Sequence, residues 1–217
     1  MTDVAGFLLL AIIVTDLFML ATGRLGACIR ASAMQGVVLA LLPLAVVPDA
    51  LGTHLVHVAA ISTGTLILKA GLIPWLLLRA LRGAGIRRDV EPFVSQHVTL
   101  LLGGCLVGLA FWASTKLPLP ESHLPPLLVP TSLTTLLLGF LVIVSRKKAI
   151  TQVVGYLMME NGVFVFGVGL TNAMPFVVEL GILLDVLVGI FVFGIVIHHI
   201  NAEFDHIDTG ALSELRD

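Results

Sequence analysis

Charged side chains make up only 12% of this 217-residue sequence, and aromatic ones only 6%, with a single tyrosine. A soluble domain carries about twice that share of charge, so a water-soluble globular fold is excluded. Cysteine is nearly absent. Cys28 and Cys105 lie far apart in the sequence, with no CxxC or Cys/His spacing. Neither a disulfide framework nor a metal cluster is signalled, and both are expected to be packing residues. Glycine-rich phosphate loops and nucleophile elbows are missing too. No histidine pair shows the i, i+4 spacing with a carboxylate that a metal site needs. His54, His57 and His123 fall in outward connections or at the ends of apolar stretches, His198, His199 and His206 fall near the cytoplasmic end, and His97 is a candidate neighbour of the Arg87 to Glu91 loop. No nucleic-acid partner is expected.

What fills the chain instead is hydrocarbon: 58% of its residues are hydrophobic and its mean hydropathy is +1.07. A membrane-spanning helix needs about 20 mainly apolar residues. Seven stretches qualify: Val4 to Thr22, Arg30 to Val47, His54 to Leu78, Gln96 to Thr115, Pro126 to Val144, Ile150 to Leu170 and Met174 to His198. The expected fold is therefore all-α, a polytopic membrane protein of seven transmembrane helices. Asp3 is the only charge near the start and no small-residue cleavage site is evident, so the first stretch reads as a retained helix rather than a signal peptide.

The basic residues alternate between connections. Arg24 and Arg30 follow the first stretch, Arg79, Arg82, Arg87 and Arg88 the third, and Arg146, Lys147 and Lys148 the fifth, while the opposite connections hold only Lys116. By the positive-inside rule the N-terminus faces outward and the C-terminus is cytoplasmic. A proline-rich segment, with Pro118, Pro120, Pro125, Pro126 and Pro130, divides a four-helix region, residues 1–117, from a three-helix region, residues 118–217. The extramembrane pieces are too short to fold a catalytic domain, so redox or hydrolytic chemistry has to come from a partner. A shift of 117 residues superposes Arg30 on Lys147, Gln35 on Gln152 and Gly64 on Gly181. That pattern reads either as a parallel internal repeat or as chance likeness among apolar helices.

Five ionisable residues fall inside the stretches: Asp16, Lys69, Glu160, Glu179 and Asp185. A charge at the bilayer centre costs about 2.5 to 3.5 kcal/mol even on the lenient insertion scale, so such groups face protein or water and mark ion paths. At 1.5 Å rise per residue, Glu160 lies about 18 Å from Lys148, Asp185 about 20 Å from His198, Lys69 about 15 Å from Arg79 and Asp16 about 12 Å from Arg24. Those four gather near the midplane, with Glu179 nearer the outer face. Carboxylates and a lysine at one level suit a proton relay, because burial and opposite charge pull their proton affinities in opposing directions. A static buried pair, Lys69 with Asp16 or Asp185, is the alternative. Gly181 and Gly189 flank Asp185 on one helical stripe, which suits close packing there.

Several pieces of the C-terminal region recur in a known order: Arg146-Lys147-Lys148, then Gly155 and Asn161, then Asp185-Val186-Leu187-Val188-Gly189, then Ile207-Asp208-Thr209 and Ser213-Glu214-Leu215-Arg216. On these the region resembles the small three-helix K subunit of respiratory complex I, itself similar to a small subunit of Mrp-type cation/proton antiporters. The resemblance implies a proton-path carboxylate in each of the last two helices. Asp185 matches the second by position. The first would fall at Leu157, and Glu160 lies nearly one turn further on, on a similar face.

With four further spans in front, the whole chain is similar to the E-type membrane component of hydrogenase-4, of the formate hydrogenlyase type of group 4 nickel-iron hydrogenases. That likeness implies a non-catalytic, multi-pass subunit of the inner (plasma) membrane, without an active site or cofactor of its own. It would sit between an antiporter-like subunit and the subunit anchoring the cytoplasmic hydrogenase module. The nickel-iron centre and iron-sulfur clusters would reside in partner subunits. A multisubunit cation/proton antiporter is the rival assignment, and a purely structural scaffold a third.

Overall fold

A computed structural model of the chain describes residues 2–46, 53–83, 95–117, 125–147, 149–170 and 194. Within them the fold is all-helical: α1 (Thr2–Ala21), α2 (Leu25–Val46), α3 (Thr53–Thr65), a π-helical segment (Leu66–Leu72), α4 (Ile73–Gly83), α5 (Gln96–Ser114), α6 (Leu128–Ser145) and α7 (Ala149–Leu170). Five stretches are long and apolar enough to cross a membrane: Asp3–Ala21, Leu25–Val46, Val58–Arg79, Gln96–Ser114 and Leu128–Ser145. Helices are what such apolar runs must form, since lipid offers no partner for a backbone N–H or C=O. The expected sixth stretch is the 22-residue α7, and the expected seventh, with Glu179 and Asp185, lies outside the described residues except for Gly194.

Two boundaries differ from expectation. Helix α2 starts at Leu25 rather than near Arg30, leaving only residues 22–24 between it and α1. The exposed Arg30 is thus part of the helix. The third stretch is continuous, but Leu66–Leu72 widens into a π-helix in which the Ile73 N–H bonds the carbonyl of Leu68, five residues back. Such widenings are rare and change the angular register of the residues beyond them.

Helices α1, α2, α6 and α7 form the centre, the third stretch packs along α2, and α5 lies outside α1 and α6. On α1 the exposed residues Val4, Phe7, Leu10, Val14 and Phe18 make a stripe opposite the buried Leu9, Ile12, Asp16, Met19 and Leu20. In water that stripe would be a liability, whereas in lipid it is the solvent-facing side. Of the two cysteines expected to pack inside, Cys28 is buried and Cys105 is exposed on α5.

The end of α1 is tied down by side chains from far along the chain. Arg146 donates to the Leu20 carbonyl at 3.0 Å, and the Gln96 side-chain amide donates to the Ala21 carbonyl. These are carbonyls that a helix C-terminus leaves without internal partners, and the cation also suits the negative end of the helix dipole. Burial lowers the proton affinity of the Arg146 guanidinium from its ordinary value, yet arginine stays charged in proteins. The contacts bring the end of α1 and the starts of α5 and α7 to one end of the bundle, where Arg24, Arg146 and Lys147 are found.

The tightest pair is α6 against α7, which run antiparallel. A Cβ on Gly155 would stand 2.9 Å from both the Gly139 carbonyl oxygen and the Ile143 nitrogen, and one on Gly162 would stand 2.7 Å from the Leu136 nitrogen and the Ser132 carbonyl oxygen. Glycine spaced by seven residues on α7 thus lets the two backbones touch, the usual means of association where lipid removes the hydrophobic drive between helices. Gly155→Ala is expected to lower stability by about 1–3 kcal/mol through overpacking. Gly104→Ala on α5, where nothing stands within 4 Å, should be neutral or slightly favourable through helix propensity. Denaturation of both variants in one detergent checks the contrast.

Candidate functional site

The charged residues in the middle of the bundle are joined by one continuous line of hydrogen bonds. It begins on α1, where Asp16 is fully buried. Its Oδ2 accepts from the Thr135 hydroxyl of α6 at 2.6 Å, and its Oδ1 accepts from the Gln35 Nε2 of α2 at 2.7 Å. The Gln35 Oε1 in turn accepts from the Asn161 Nδ2 of α7 at 2.9 Å. The Asn161 Oδ1 accepts from the Lys69 Nζ at 2.9 Å, and the same ammonium donates to the Glu160 Oε1 at 2.9 Å. Six side chains from α1, α2, the π-helical segment, α6 and α7 are therefore linked, and all six are buried.

The backbone explains how Lys69 reaches this line. It lies in the π-helical segment, and that segment is pressed against α2 at Gly36. A Cβ there would stand 2.7 Å from the Lys69 carbonyl carbon and 2.8 Å from the Ala70 nitrogen. Only glycine admits the widened turn at this depth. On α7 the neighbours Glu160 and Asn161 both reach the ammonium, and Phe164, one turn on, presents its ring with the centroid 5.6 Å from Nζ. A carboxylate, a carbonyl and a ring face together replace the water that a buried ammonium loses.

Asp16, Lys69 and Glu160, three of the five residues singled out from sequence, are brought together. The expected static partners of Lys69 are Asp16 or Asp185. The structure gives it Glu160 directly and Asp16 only through two amides. Glu179 and Asp185 lie outside the described residues. Gln35, Thr135 and Asn161 are site residues that charge and depth alone do not single out. The available signal is a carboxamide in the middle of an apolar helix, as costly to bury unpaired as many charged groups are once paired. The glutamines superposed by the 117-residue shift occupy unlike places. Gln35 is in the network, whereas the half-buried Gln152 donates to the Arg146 carbonyl at 3.0 Å. Among the described residues no three His, Cys, Asp or Glu side chains gather as metal ligands.

Removing one member of a buried ion pair leaves the other uncompensated. Lys69→Met alone is therefore expected to cost about 3 kcal/mol of stability, while the joint Lys69→Met/Glu160→Gln exchange recovers most of that loss. Unfolding curves of the two variants in the same detergent give the comparison.

No family model matches the chain, and no solved structure matches it. Hydrogenase-4 component E of Escherichia coli (strain K12) is similar at 28% identity over 157 residues, 71% of this chain and 72% of that protein. Hydrogenase-4 component E of Shigella flexneri is similar at the same identity and coverage. The uncharacterized protein Rv0085 of Mycobacterium tuberculosis is 32% identical over 194 residues, 89% of this chain and 87% of that protein. At that identity and coverage the chain belongs to the protein family of Rv0085, with hydrogenase-4 component E as a more distant relative.

Proposed function

We propose that this protein is a non-catalytic, multi-pass subunit of an energy-converting, membrane-bound nickel-iron hydrogenase complex, where it contributes to proton translocation coupled to hydrogen evolution or oxidation. The observation that carries the reading is the buried line from Asp16 through Gln35, Asn161 and Lys69 to Glu160. Charged groups are kept inside a membrane bundle at a cost, and linked carboxylate and amine groups there suit proton handling. The distant likeness to hydrogenase-4 component E supports the choice of complex.

In this proposal Asp185 and Glu179 belong to the same proton relay, the N-terminus is outside, and the basic connections face the cytoplasm across the inner membrane. An antiporter-like subunit and a membrane anchor subunit are its neighbours, and they or their partners hold the nickel-iron centre and iron-sulfur clusters. The chain's own part is to hold and exchange protons while excluding bulk water from the midplane.

Purifying the intact complex through a tag on this chain tests the assignment. Nickel and iron in the co-purified complex support it, and a metal-free assembly with cation/proton exchange would replace it with the antiporter reading. Within a hydrogenase complex, Lys69→Met/Glu160→Gln and Asp185→Asn are each expected to leave hydrogen evolution from an artificial donor intact. Proton movement into inverted vesicles should fall about a hundredfold or more, the usual scale for losing a positioned proton-transfer group. Unchanged proton movement in both would remove the relay role.

A further inference from the structure

The line of hydrogen bonds has a direction. Lysine carries only donors, so the Asn161 group facing the ammonium has to be its oxygen. Asn161 then presents N–H to Gln35, which must receive it on oxygen, and Gln35 presents N–H to Asp16. Thr135 also donates to Asp16, so both carboxylate oxygens accept. The ammonium thus determines the orientation of both amides, and the amides present a donor to the Asp16 carboxylate. Both amide dipoles lie head to tail between a cation and an anion, the arrangement in which successive hydrogen bonds polarise one another in a low-dielectric interior.

We propose that Gln35 and Asn161 are a charge-coupling element: they transmit the charge state of Asp16 to Lys69, and that of Lys69 to Asp16, without passing a proton. A carboxamide has no group that exchanges a proton under ordinary conditions, so the line is electrically continuous and protonically interrupted. When Asp16 takes a proton on Oδ1, that O–H must donate to Gln35, which turns its amide. Asn161 then has to turn as well, and its N–H meets the donor-only ammonium, so Lys69 leaves Asn161 and is held through Glu160. When the proton goes to Oδ2, Thr135 turns its hydroxyl to accept it. The amides keep their direction, but their anionic end is lost and the pull on Lys69 weakens. In both cases a neutral Asp16 loosens Lys69 from Asn161 and shifts it toward Glu160. Few other groups face the two ends among the described residues. Among the described residues Asp16 meets Gln35 and Thr135 as polar partners, while α5, which also packs on α1, carries the exposed His97 and Cys105. Lys69 meets Glu160, Asn161 and Phe164, with Tyr156 near Glu160.

The inference deepens the proton-handling role proposed above and rests on it for its use, but a titration without turnover reads it separately. Infrared difference spectra of the full chain in lipid nanodiscs, with ¹³C-labelled Asn and Gln side chains, follow the protonated carboxyl band that Asp16→Asn removes. In the unaltered protein the labelled amide bands should move together with that band. Amide bands that stay still while Asp16 titrates would overturn the coupling, with no variant needed. At a fixed pH where the band is minor, Lys69→Met/Glu160→Gln should enlarge it about tenfold, equivalent to one unit of proton affinity. In a Gln35→Leu or Asn161→Leu background the same exchange should leave it unchanged. An equal enlargement in either background would show that charge acts directly through space and would overturn the role of the amides. Vesicle proton movement can fail independently of all these readings, which keeps the two proposals apart.

Discussion

A lysine ammonium in the middle of an apolar helix bundle has to be compensated where it stands, because neither water nor lipid headgroups reach it. Lys69 is that constraint here. Among the described residues it is compensated by the Glu160 carboxylate at 2.9 Å, and its contact with Asn161 begins the line that ends at Asp16. An unpaired carboxylate at Asp16 would be as costly as an unpaired ammonium, so the two ends sustain each other through the amides between them. The remaining polar residue, Thr135, satisfies the carboxylate oxygen that the amide does not reach.

The packing of the helices follows from the need to bring these groups within bonding distance. Gly36 lets the widened turn carrying Lys69 press against α2, and Gly155 and Gly162 let α7 touch α6. Between them these contacts set α7 beside α2 and α6, where Asn161 meets Gln35 while Thr135 meets Asp16. Leucine and isoleucine side chains pack in two clusters, with Leu9, Ile12 and Leu39 in one and Leu20, Leu25 and Leu77 in the other.

A bundle of this kind separates two jobs that are often merged. Holding charge inside an apolar bundle needs satisfied polar groups, whereas responding to a proton needs groups that can turn. In the proposed role Asp16, Lys69 and Glu160 are the charged members of the line, and Gln35, Asn161 and Thr135 are the neutral members that satisfy them and turn with them. Their linkage along one line would make the response at one end depend on the state of the other.

Much of the architecture was legible in the order of residues, because transfer from water to lipid depends on composition over about 20 residues and is indifferent to neighbours. The sequence alone determined that the chain is helical and membrane-embedded, and it singled out Asp16, Lys69 and Glu160 as charges set within apolar stretches. Which groups meet was decided only by the tertiary structure. Depth along a helix axis follows from counting residues, but the direction a side chain faces across the bundle depends on how helices rotate against one another. A π-helical turn resets that rotation at Lys69 itself. Gln35, Thr135 and Asn161 carry no charge to announce them, so their importance arises from the partners that packing supplies. Pairing Lys69 with Glu160 rather than with Asp16 is therefore a property of the folded bundle, fixed where backbones come close enough at glycine for short polar side chains to touch.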